Sequence, residues 1–182
     1  MKNKLYTILT ILLITMLTTS PVFARGAIKL SEVTFSLGSL IATGFASGLG
    51  NTDVTLVLDA SGEAHITCIN YGGNTVPGQS YPKIDAVGTQ SLAGGDPRSK
   101  NGRTPFNTET DDPEFVAWDA AGCPNSNWAG HIDAIFWTGG TISVYPGLYI
   151  DLNNRPTALL VQPFACDPSL QTETSVSCWL VK

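Results

Sequence analysis

The chain has 182 residues, with 15 acidic against 10 basic side chains and a net charge of −5, and only 14% of it is charged. An acidic excess excludes the clustered cations that nucleic acid or an anionic membrane surface requires. One domain with a full core is the default at this length, and so little charge suits a neutral surface rich in hydroxyls and glycine.

Lys2 and Lys4 precede an almost wholly apolar run over residues 5–17, and "SPVFA" ends in small Ala24. This is the order of a secretory signal, with cleavage expected after Ala24. The apolar run, about thirteen residues, is short of the roughly twenty that a membrane span needs. No cysteine stands at the cleavage point and "SVSCWLVK" offers no apolar tail, so a freely secreted chain is expected, without membrane attachment. Cleavage would leave residues 25–182, with 8 basic against 15 acidic residues and a net charge of −7, since only Lys2 and Lys4 are lost.

The next stretch, "RGAIKLSEVTFSLG", changes parity between Ile28, Leu30 and Val33, Phe35, Leu37. A strand broken in this way could reach past its own sheet and pair with a neighbouring subunit's edge, which makes these five residues candidates for assembly. The plainer reading is an ordinary edge strand. "GSLIATGFASGLGN", with four glycines, reads as a bulged strand or a crossing loop. "DVTLVLDA" sets Val54, Leu56 and Leu58 on one face, and "AHITCIN" sets Ala64, Ile66 and Cys68 against His65, Thr67 and Ile69.

A loop then follows. Gly72-Gly73-Asn74 tolerates positive φ, and Pro77-Gly78 fits the centre of a type II turn. It reads first as a structural connection. Yet Asn70, Tyr71, Asn74, Gln79 and Tyr81 are the amide and tyrosine groups that a sugar or polar polymer would engage. "KIDAVGTQ" is a further strand, and residues 93–112 are polar and loop-like around a short strand near Phe106. In "ETDDPE", Asp111, Asp112 and Glu114 are hard oxygen ligands that calcium would accept. The D-x-[DN]-x-[DN]-G spacing is missing, so a solvated acidic loop is preferred and no metal or cofactor is expected. "AAGCPNSNW" brings Asn125, Asn127 and Trp128, with the core as the competing place for Trp128. "HIDAIFWT", "TISVYPG", "ALLVQPFAC" and "SVSCWLV" complete the strands. Period-two patterning broken by glycine, asparagine and proline predicts an all-β fold: one antiparallel β-sandwich, immunoglobulin-like or jelly-roll-like, of about nine to eleven strands.

Four cysteines in an exported chain are expected to pair, and four allow three pairings. Cys166 and Cys178 flank a turn-rich segment that fits a bridged hairpin, which leaves Cys68 with Cys123. Zinc is disfavoured because there is no C-x-x-C and only His65 and His131 are present. The bridge would gather Asn70, Asn125, Asn127 and Trp128 at one end of the sandwich.

"ITCINYGGNTVPGQ", "GTQSL", "KNGRTPF" and "AGCPNSNW" resemble a loosely defined group of uncharacterised secreted bacterial proteins. These share a T-C-x-N-x-G-G-N-x-x-P-G-Q stretch followed by C-P-N-x-x-W. The resemblance spans roughly residues 53–145 and implies secretion, a β fold and the Cys68–Cys123 pairing, with no activity to carry over.

Catalytic patterns are sparse. Strand parity puts His131 on one face with Asp133, Ile135 and Trp137, but no G-x-S-x-G turn supplies a nucleophile and no phosphate-cradling glycine motif occurs. We therefore expect no enzyme. The leading expectation is a self-associating structural subunit of a surface filament, sheath or matrix. A carbohydrate- or polymer-binding module is the alternative, with Tyr71, Tyr81 and Trp128 as the aromatics placed where loops are expected. A secreted hydrolase comes third.

Overall fold

The computed structural model describes residues 27–37, 39–172 and 175–182, so the leader read over residues 1–24 lies outside the described residues. In chain order the strands are β1 (Lys29–Ser36), β2 (Ile41–Ser47), β3 (Val54–Asn70), β4 (Thr75–Pro77), β5 (Lys83–Leu92), β6 (Arg103–Glu109), β7 (Phe115–Val116), β8 (Trp128–Pro146), β9 (Leu160–Cys166) and β10 (Cys178–Leu180). They form two packed sheets, one of three strands in the order β1-β2-β6 and one of seven. The all-β reading holds, and both expected disulfides, Cys68–Cys123 and Cys166–Cys178, are present.

The large sheet is built on β3 and β8, which run antiparallel from Val54–Pro146 to Asn70–Trp128. Their lengths, 17 and 19 residues, are unusual for a globular protein, where strands of more than about ten are uncommon. Each was expected as two strands, broken near Gly62 and near Thr138–Gly139. Instead the ladder runs through two register shifts, which leave Thr138 and Asp133 of β8 as bulged residues. A bulge bends a strand without ending its pairing, so a glycine-rich break in the pattern need not be a turn.

One half of this ribbon is the sandwich. There β5 pairs along β3 as far as Glu63, and β9 pairs with β8 between Gly139 and Val144. Leu56, Leu58, Ile142, Val144 and Phe164 are buried in one cluster with Ala42, Ala46 and Phe106 of the small sheet. The other half is an arm flanked only by short β4 and β7. Among the described residues no second sheet covers the arm's inner face. The loop tied down by Cys123 does so instead, burying Ala121 against Ile66 and Cys68. Gly130 sits at that contact, where a Cβ would meet the Ala121 Cβ at 2.5 Å and Val116 Cγ2 at 2.9 Å.

The N-terminal parity change is also a bulge. Ser31 and Thr34 pair with Phe45 and Thr43, so Glu32 and Val33 share one position opposite Gly44. Glu32 takes φ 53° and binds Arg103 at 2.8 Å, and the Arg103 guanidinium lies 4.3 Å from the centre of the Phe45 ring. The bulge turns Ile28, Leu30, Val33, Phe35 and Leu37 all toward the core. Within the described residues this segment is β1 of its own sheet. "GSLIATGFASGLGN" contributes β2, and the strand near Phe106 is β6.

Candidate functional site

The free end of the arm carries a cleft of about 360 Å³ lined by Ile69, Asn70, Tyr71, Phe115, Asn127, Trp128, Ala129 and His131. Local turn chemistry builds it. At the end of β3 the Asn70 Oδ1 accepts from the Gly72 and Asn74 amides, both at 2.9 Å, and Gly73 adopts φ 76°. The tight turn lifts Tyr71 into solvent, 95% exposed. Before β8 the Asn125 Oδ1 accepts from the Asn127 amide at 3.0 Å, and the Trp128 amide donates to the Asn125 carbonyl at 3.1 Å. These bonds start β8 with Trp128 opposite Asn70. Phe115 of β7 lies opposite His131, their rings edge to face at 5.3 Å, with Phe115 55% exposed.

Of the ligand candidates read from the sequence, Asn70, Tyr71, Asn127 and Trp128 line this cleft. Trp128 serves both readings, since it is half-buried, packs against the core and still lines the cleft. Asn74 and Asn125 belong to the flanking turns. Gln79 lies beside the disulfide, in a separate hollow of about 510 Å³ with Gly122 and Cys123. Tyr81 stands apart on the outer face of the arm. Its ring centre is 4.9 Å from that of His65, which in turn stacks 4.3 Å from Phe136.

Phe115 was not singled out by sequence. A two-residue strand shows no alternation, and its partner His131 is known only once the ladder is formed. His131 itself had been placed on a face with Asp133, Ile135 and Trp137. The bulge at Asp133 overturns that grouping: Ile135 and Trp137 are buried, while His131 and Asp133 face outward. The His131–Asp133 contact does exist, at 3.4 Å between Nδ1 and Oδ1, and the other carboxylate oxygen accepts from the Thr67 hydroxyl at 2.7 Å.

The calcium candidates lie on the far side of His131. Asp112 and Glu114 line a second hollow of about 380 Å³ with His131 and Asp133. Burial pushes the Asp112 carboxyl above its usual range; a bond from the Thr110 hydroxyl opposes this, and the nearby charges of Glu109 and Asp111 add to it. Asp111 is drawn the other way, its amide donating to the Val87 carbonyl at 3.1 Å. Among the described residues no group of three or more His, Cys, Asp or Glu side chains is arranged to hold a metal ion. Nor is any helix there long and apolar enough to cross a membrane.

Comparison with known protein families, with curated proteins and with solved structures finds no match to this chain.

Proposed function

We propose that this protein is a noncatalytic extracellular binding module that holds a carbohydrate or similar neutral polymer in the cleft at the end of the β3–β8 arm. One observation carries the reading: four aromatic residues, Tyr71, Phe115, Trp128 and His131, line one mostly apolar hollow together with Asn70 and Asn127. Concave apolar surface with a few polar groups is what ligand sites are made of. The ladder carries Phe115, Trp128 and His131, so less side-chain entropy is lost when a flat ligand stacks on these rings, while Tyr71 stands on the turn beside them. The two disulfides suit an exported protein.

The hydrolase reading is weakened by the order of contacts. In a hydroxyl–imidazole–carboxylate triad the hydroxyl is bonded to the imidazole, which takes its proton. Here Thr67 and His131 both contact Asp133, so the imidazole is not placed to activate the hydroxyl.

Retention on insoluble cellulose, chitin and xylan tests the proposal. The native protein is expected to be retained on at least one, and Tyr71→Ala and Trp128→Ala are each expected to weaken retention about tenfold. Equal retention of all three proteins, with their folds intact by circular dichroism, would sink it.

The structural-subunit reading keeps one supporting observation. β1 pairs only with β2 among the described residues, which leaves its outer edge open beside short β10. Exposed Val161, Trp179 and Val181 lie on the neighbouring strands and tail.

A further inference from the structure

Resting on the cleft reading above, we infer that the cleft is one end of a longer site whose ligand is an uncharged polysaccharide chain lying along the outer face of the β3–β8 arm. Strand parity puts His65 and Thr67 of β3 on that face with His131, Ala134 and Phe136 of β8. Two ring stations stand on it. Phe115 and His131 form the first, at the cleft. Tyr81, His65 and Phe136 form the second, with Tyr81 62% exposed. Thr67 and Glu63, which face His131 and Phe136 across the ladder, are separated by about 13 Å at the ordinary strand rise.

Between the stations stands Asp133, the bulged residue, exposed and tied to Thr67 and His131. Aromatic faces carry negative charge density and attract the C–H faces of pyranose rings. A carboxylate between them accepts from sugar hydroxyls. Ring, acceptor and ring in line along a strand match a chain of linked sugars better than one sugar. An acidic polymer would meet Asp133 and Glu63 on a chain already carrying net charge −5. A peptide added by strand pairing needs a free edge, and this surface is the face of a sheet.

Isothermal titration of the purified protein with β-1,4-linked glucose and N-acetylglucosamine oligomers, as dimers and hexamers, separates the two levels. The hexamer is expected to bind about tenfold tighter than the dimer of the same sugar. Tyr81→Ala is expected to erase that advantage, whereas Tyr81→Phe, which keeps the ring, retains it. Equal affinity for dimer and hexamer, or an advantage that survives Tyr81→Ala, overturns the extended site and leaves the cleft reading standing. Tighter binding of galacturonate hexamers than of the neutral ones overturns the uncharged class. Absence of heat with every oligomer, together with no retention on the polysaccharides, removes both.

Discussion

Gly130 lies under the loop that covers the arm, and a Cβ there would meet Ala121, Val116 and Ile66. The arm's inner face can be covered by a single loop only because this position adds no side chain. Gly130→Val would drive that loop outward, with Cys123 and the turn that leads to Trp128. Overpacking of this kind costs about 1–3 kcal/mol. We expect a matching fall in stability by urea denaturation, with weaker retention on polysaccharide, because the loop sets the position of the cleft. Asp133 makes the complementary point. Its placement outward depends on one extra residue in β8, and without that bulge it would share the parity of Ile135 and Trp137. Alternation along "HIDAIFWT" therefore misassigns the residue most central to the outer face.

At the scale of elements, three ties hold segments that the hydrogen-bonded ladder does not. The Cys68–Cys123 bridge spans 55 residues and fixes the loop over the arm. Chain-entropy arguments assign it about 4 kcal/mol, so the paired substitution Cys68→Ser with Cys123→Ser is expected to lower stability by about that much. It should also abolish retention, since the cleft's second wall would no longer be anchored. The loop over residues 147–159 is held by Arg155, whose Nη1 and Nη2 donate to the Asp59 carboxylate at 2.5 and 2.7 Å. That bidentate bond raises the Arg155 pKa further above its already high value. Both side chains are partly exposed, so Arg155→Ala is expected to cost about 1 kcal/mol, read by thermal unfolding. The third tie is Thr110, whose hydroxyl accepts from the Leu40 amide at 3.0 Å and donates to Asp112 at 2.6 Å. Because burial raises the Asp112 pKa, the folded state holds the proton of the Asp112 carboxyl more strongly than the unfolded one. The stability from that group is present below the unfolded value of 3.8 and is lost as pH rises through the folded value. Asp112→Asn keeps the acceptor and removes the charge. It is expected to raise the melting temperature at neutral pH and to flatten the loss that begins just above the unfolded value.

The molecule as a whole is a sandwich closed at one corner and open at the other. At the closed corner a Cβ on Gly88 of β5 would meet the Glu109 carbonyl oxygen of β6 at 2.0 Å, and Val87 bridges to Asp111. At the open corner β1 and β9 meet through the rings of Phe35 and Phe164, centres 4.7 Å apart, and these two strands are not paired among the described residues. The bulge at Glu32–Val33 twists the outer edge of β1, a device that discourages pairing with another chain. Light scattering over a concentration series is therefore expected to give a monomer. Large species that vanish when residues 25–37 are removed would restore the structural-subunit reading. The arm, in turn, projects the cleft away from the sandwich, which leaves its outer face open along the strands.

What the sequence determined is what a short window can carry. Alternation over six or seven residues specifies a strand and its buried face, so the all-β class, the core side of β3 and the outward His65 were legible. Four cysteines, with one close pair, were enough for both disulfides. Of the four residues that the Cys68–Cys123 bridge was expected to gather, Asn70, Asn127 and Trp128 line one cleft, because the bridge joins their loops, while Asn125 stays in the turn before β8. The tertiary structure decided the rest, because it depends on partners far apart in the chain. Continuity of β3 and β8 through their breaks is set by hydrogen bonds between residues up to 92 positions apart, from Val54 to Pro146. The bulges that reverse parity at Asp133 and Glu32 exist only in the register of one strand against its partner. The place of Phe115 in the cleft is set by His131 across a two-residue ladder, a contact that no local pattern encodes.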